Sequence, residues 1–216
     1  MQREYYCLMK KRIIVLIITT ALLVFLTFLP SILPITGTAG LYLRFGIYFA
    51  MAGLVIASII ITGIKIDFDV KNWKQYLIGL GLALVISFFA AFLPALLGHS
   101  IVGEHQDFNW ANLLLSLLFF VLFVGPVEEL VFRVYYQETF CGFFKKHKWI
   151  GVIIAAALFG IWHIINGSPF QVLFTFGFGL IFGFAKYFLK NCKYLGLALG
   201  HGIYDFLNVI VCMFVI

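Results

Sequence analysis

The sequence predicts an all-α fold, a polytopic transmembrane helix bundle of about seven spans with the N-terminus inside and the C-terminus outside. Three observations predict it. Of 216 residues, 63% are hydrophobic and only 11% charged, whereas a soluble domain carries about 25% charged residues. Mean hydropathy is +1.08, and several apolar runs exceed the roughly 20 residues that span a bilayer core. The runs are continuous rather than alternating with period two, which argues for helices and against a transmembrane barrel.

The first span, about 13–33, follows Lys10, Lys11 and Arg12. It exceeds the roughly 7–15 residue core of a signal peptide and no small-residue cleavage site follows it, so it is read as retained. The second and third, about 41–64 and 76–98, are separated by a loop holding Lys65, Lys71 and Lys74. The loop at 99–110 holds His99, Glu104, His105 and Asp107 but no Lys or Arg. The fourth span runs over about 111–136. Lys145, Lys146 and Lys148 then precede a short fifth span, about 150–166. Asn166-Gly167-Ser168-Pro169 marks a tight hairpin into the sixth, about 170–190, and the last covers about 194–216.

The charges test this count through the excess of Lys and Arg in cytoplasmic loops. With the N-terminus inside, cytoplasmic segments receive 13 of the 15 Lys and Arg residues; Arg44 falls outside and Arg133 within the fourth span. The net charge of +6 therefore follows the membrane, and no nucleic-acid partner is expected. No repeat or linker divides the chain, so 1–216 reads as a single membrane domain. Gly179/Gly183 and Gly196/Gly200 are small-residue pairs suited to helix packing inside the bundle. Cys7, Cys141, Cys192 and Cys212 have no metal or redox spacing and are expected to form no disulfide.

Ionisable residues inside a span cost roughly 2.5–3.5 kcal/mol each on insertion scales, so chains keep them for pairing or for function. Three groups occur here. In Glu128-Glu129-Leu-Val-Phe-Arg133, Glu129 and Arg133 stand i,i+4 and can pair on one helical face. Glu128 lies about 100° around the axis, above Phe132 rather than a cation, which suits a carboxyl that exchanges protons near neutral pH. Gly125-Pro126 loosens the helix just before it. The second group is His163, four residues after Phe159. The third is His201, Asp205 and Asn208, which share one face at i, i+4, i+7, with Gly200 and Gly202 beside the histidine. At about 1.5 Å per residue, Glu128 lies about 12 Å inside position 136, His201 about 10–12 Å inside 194, and His163 about 20 Å inside 150.

Two histidines and a carboxylate can hold a zinc whose open position carries a water, the ligands then being Glu128, His163 and His201. Alternatively Glu128 with His163 activates a water directly, while His201 and the Asp205/Asn208 face stabilise the oxyanion. Both routes give hydrolysis of an amide in or beside the membrane.

Glu128-Glu129-x-x-x-Arg133, Phe159-x-x-x-His163 and His201-x-x-x-Asp205 resemble, in order and spacing, the three motifs of the CPBP (CAAX protease and bacteriocin-processing, or Abi) intramembrane proteases. The resemblance covers about 111–208, so 111–216 would be the catalytic helices and 1–110 a three-helix lead-in. It implies an endopeptidase acting on a membrane-associated peptide or lipidated protein. Glu128 would be the principal carboxylate, supported by Glu129 and Arg133, with His163 and His201 completing the site. It implies a metal-free glutamate mechanism needing no cofactor, with zinc as the alternative. The chain departs at Asp205, where CAAX-type relatives have Asn; Asn208, one turn on, can supply the missing donor. A bacterial plasma membrane is the expected setting, with the site opening toward the cytoplasm. The rival readings are a non-catalytic bacteriocin self-immunity or scaffold protein, and a proton-coupled small transporter.

Overall fold

In a computed structural model of the chain, the described residues are 2–33, 35–99, 102–165 and 168–216, with side chains described from Met9 onward and not at Ile165. Among them, all regular structure is helical. Seven helices follow the expected order: α1 Gln2–Ile32, α2 Gly37–Thr62, α3 Trp73–Leu96, α4 Trp110–Phe143, α5 Lys148–Trp162, α6 Pro169–Phe188 and α7 Tyr194–Phe214. Six are long and apolar enough to cross a membrane; α5, at 15 residues, is the short one. Its rise of about 22 Å falls below the roughly 30 Å of a hydrocarbon core. A 3₁₀ turn, His163–Ile165, extends it. The expected hairpin at 166–169 rests on Asn166 and Gly167, which lie outside the described residues.

The fourth helix continues to Phe143, seven residues past the expected end at 136. Gln137 and Thr139 look like a polar terminus, yet both are buried, and Thr139 returns its hydroxyl to the Tyr135 carbonyl at 2.6 Å. Among the described cysteines, Cys141, Cys192 and Cys212 are buried and form no disulfide; the Cys7 side chain lies outside the described set.

The chain forms two compact units: Met1–Ile66 with Leu130–Gly177, and Asp67–Glu129 with Phe178–Ile216. In the first, side chains join the helices. Thr19 and Ser58 share a buried hydrogen bond of 2.7 Å between α1 and α2, and Tyr136 donates to Thr20 at 3.0 Å. Arg12 donates to the Thr62 carbonyl at 3.2 Å, where α2 ends on the left-handed Gly63 and its last carbonyls need donors. Phe132 packs against Phe159 and Trp162.

In the second unit, backbones meet. A Cβ on Gly79 of α3 would strike the Gly196 carbonyl of α7, and one on Gly200 would strike Gly79. Gly196 and Gly200 therefore serve helix packing, as their spacing predicts. Ala198 and Gly202, on a neighbouring face of α7, receive α4 at Gly125.

Candidate active site

The turn carrying the two glutamates is α-helical over Gly125–Glu129 and lies between two π-wound stretches, Phe120–Val124 and Leu130–Tyr136. Pro126 accounts for the first. It has no N–H for the Leu122 carbonyl and its ring crowds that oxygen. The helix widens instead, and Gly125 N–H bonds to Phe120, five residues back. Phe88–Phe92 in α3 does the same two residues before Pro94. Such turns are frequent at functional sites.

Gly125 also admits α7, since a Cβ there would meet Ala198 and Gly202, and a Cβ on Gly202 would meet Phe120 and Val121. The approach lets short side chains bridge the helices. His201 Nδ1 donates to Glu129 Oε1 at 2.9 Å. Its Nε2 stands 3.8 Å from Glu128 Oε2 and 3.6 Å from Asp205 Oδ2. Glu129 is fully buried, and Glu128 and His201 are only 5% and 3% exposed. Phe178 and Phe182 lie 5.0 and 6.1 Å from the imidazole between ring centres, and Tyr204 packs at a tilt against Phe178.

This arrangement fixes the imidazole chemically. A carboxylate at Nδ1 holds the proton there and leaves Nε2 as an acceptor in the neutral ring. The 3.6–3.8 Å separations at Nε2 are long for direct hydrogen bonds and of the kind a shared water bridges. The aromatic wall keeps the local dielectric low, which strengthens the electrostatic contacts inside it. Glu128, expected to face no cation on its own helix, thus faces a histidine supplied by another helix.

In the other unit, Arg133 is fully buried and its guanidinium lies 5.1 Å over the Phe159 ring, a cation–π contact. The same ring packs edge-on against His163 at 4.7 Å. His163 Nδ1 donates to the Phe159 carbonyl at 2.8 Å, since a carbonyl can only accept, which makes Nε2 the acceptor nitrogen of the neutral ring. The structure thus gathers Glu128, Glu129, His201 and Asp205 in one unit, and Arg133, Phe159 and His163 in the other. Asn208 continues the His201–Asp205 face one turn on, half-buried.

Two contributors escaped sequence reading. Gln75 is fully buried, and its Oε1 accepts from Gly196 N–H at 3.1 Å; Tyr194 donates to the Pro126 carbonyl at 3.0 Å. Neither has a local motif. Gln75 sits near a helix start where an amide reads as interfacial, and Tyr194 reads as a membrane-boundary aromatic.

As to a metal, no three His, Cys, Asp or Glu among the described residues are disposed to hold one. His201 Nδ1 is engaged by Glu129.

Residues 110–207 match the family model described as Type II CAAX prenyl endopeptidase Rce1-like. The matched stretch begins at the first residue of α4 and carries all three motifs; Asn208 falls one residue beyond it. The resemblance read from the motifs is borne out, and the match supports a CAAX-protease-like membrane endopeptidase. No curated protein and no solved structure matches the chain.

Proposed function

We propose, from the match of α4 to α7 with Rce1-like endopeptidases, that this protein hydrolyses a peptide bond of a membrane-associated peptide or lipidated protein. The observation that carries the reading is the His201 imidazole set among Glu129, Glu128 and Asp205 within apolar helices. A water between Glu128 and His201 Nε2 gives its proton to the carboxylate as its oxygen attacks the scissile carbonyl. Glu128 then passes that proton to the leaving amine as the tetrahedral intermediate collapses. Glu129 orients His201, in the manner of the acid in a hydrolytic triad. His163 and Arg133 are supporting residues by their motif positions, and Arg133 braces the Phe159 ring that packs on His163. Asp205, 3.6 Å from Nε2, orients His201 through a shared water, and Asn208 donates to the oxyanion. No step is assigned to a metal. On the distribution of Lys and Arg, the N-terminus lies inside and the site opens toward the cytoplasm.

The test is cleavage of a prenylated CAAX peptide by purified protein in lipid nanodiscs. Glu128→Ala and His163→Ala should each lower the rate by about 10²–10⁴-fold, the usual contribution of a general acid–base group. Undiminished cleavage in both overturns the site. Activity lost to a chelator and restored only by zinc would overturn the metal-free mechanism. Ion flux across vesicles, abolished by the same substitutions in a protein that cleaves nothing, would replace the reading with a transporter.

A further inference from the structure

The crossings that bring α7 onto α3 and α4 are made by glycines, and this raises a question of register. Helices that interdigitate large side chains lock at one height, because a slide of one residue, about 1.5 Å, collides with the next knob. A face built of Gly196, Gly200 and Gly202 against Gly79 and Gly125 has few such knobs. It permits closeness without specifying where along the axis the helices stop. Yet the His201–Glu129 bond of 2.9 Å survives no slide of that size. Something else must set the register.

Two polar contacts at the first turn of α7 are placed to do so. The opening N–H groups of a helix lack intrahelical partners, and Lys193 at the N-cap offers no side-chain bond to them. Gln75 supplies one from α3: its Oε1 accepts from Gly196 N–H, and its Nε2 donates to the Asp69 carbonyl, so the amide cannot turn away. Tyr194 supplies the second rung. Its hydroxyl donates to the Pro126 carbonyl, two residues before Glu128 and three before Glu129, and the residue is buried. His201 follows Tyr194 by two turns, about 10 Å along the axis. Buried polar contacts are well attested as devices that fix helix register.

We propose that Tyr194 and Gln75 are positioning residues, which set the height and rotation of α7 so that His201 Nδ1 meets Glu129. They touch neither substrate nor reacting atoms. The inference rests on the proposed hydrolysis for its kinetic consequence, but its geometric content stands apart from it.

The experiment therefore reads both. The imidazole ¹⁵N resonances of His201, identified by their loss in His201→Asn, report whether Nδ1 alone carries the proton. Wild type should show the Nδ1–H form. Tyr194→Phe, which deletes one oxygen, and Gln75→Met, which deletes the acceptor and donor at similar length, should each shift His201 toward mixed tautomers. Tyr76→Phe is the control: it removes a neighbouring hydroxyl that makes an exposed bond to the Val70 carbonyl, and should leave the signal unchanged. Gln75→Glu, which keeps an acceptor for Gly196, should restore most of it. In cleavage, Tyr194→Phe and Gln75→Met should lower kcat about 10- to 100-fold, the scale expected for misplacement near 1 Å, with KM within about twofold.

A wild-type His201 signal in both variants overturns the inference, as does an equal shift in the Tyr76→Phe control. A shifted signal in a protein whose wild type cleaves no prenylated peptide overturns the proposed function and leaves the positioning role standing.

Discussion

The two units solve helix association in opposite ways. In the unit formed by residues 1–66 and 130–177, side chains make the joints: the Thr19–Ser58 hydroxyl pair, Tyr136 on Thr20, and the edge-to-face packing of Phe132 with Phe159 and Trp162. In the unit formed by 67–129 and 178–216, glycines bring backbone onto backbone at Gly79, Gly125, Gly196, Gly200 and Gly202. The second unit also holds the cluster of His201 with Glu128, Glu129 and Asp205. Lipid gives no hydrophobic reason for helices to associate, so contact rests on packing and polar bonds. Aromatic joints tolerate some play. A carboxylate that must reach an imidazole on another helix tolerates little, and there the chain uses glycine.

The largest effect that sharpens this contrast falls on the charge cluster. Glu129→Gln keeps an oxygen for Nδ1 but removes the charge that fixes the imidazole proton. Cleavage should fall by about 10²–10⁴-fold, in the range of acid–base and triad-orienting groups, with little change in thermal midpoint. A variant as active as wild type would reduce Glu129 to a packing residue.

Next in size is a test of the backbone contacts themselves. Gly125→Ala places a methyl group onto the Ala198 carbonyl and the Gly202 amide, and overpacking of this kind costs about 1–3 kcal/mol. Gly53→Ala in α2 meets nothing within 4 Å and should be neutral or, through helix propensity, stabilising by up to about 1 kcal/mol. Thermal unfolding in detergent separates them. Equal midpoints would mean that α4 and α7 can part without cost, and the distinction between the units would fail.

These contrasts also mark what was legible in the sequence. The helix order, the short α5, the motif residues and the packing role of Gly196 and Gly200 could all be read, because composition and spacing are local properties. The partner of Glu128 could not, since an angle around one axis says nothing about a side chain arriving from another helix. The π-winding from Leu130 to Tyr136, with its five-residue hydrogen-bond step, could not be read from spacing either. Pro126 announced a perturbation without saying which way the helix would give. Gln75 stayed hidden because it caps a helix 121 residues away in sequence.

A smaller effect is expected at the joints of the first unit. Ser58→Ala deletes the buried bond to Thr19, and interhelical hydrogen bonds in membranes average about 0.6 kcal/mol, reaching about 1.7. Stability should drop within that range while cleavage is unchanged. Loss of cleavage without loss of stability would show that the side-chain joints, too, serve the chemistry.

The smallest effect belongs to the polar clasp at the start of α7, outside the span. Lys193 reaches Asp67 and Asp69, each at 3.1 Å, and hydrogen bonds to those two carboxylates hold its ammonium above the usual lysine value. A cation held in the folded state stabilises fully below the unfolded lysine value of about 10.4, and that stabilisation is lost as pH rises through the higher folded value. No dependence on this group is therefore expected between pH 6 and 9, and a decline is expected only in the alkaline range. The pair is solvent-facing, so salt should weaken it, with a Debye length of about 3 Å at 1 M. Thermal midpoints of wild type and Lys193→Met should differ slightly at low salt and converge at 1 M. A gap that persists there would mean that the lysine acts through its aliphatic stem rather than its charge, and that even this exposed corner of the glycine-packed unit is held by packing.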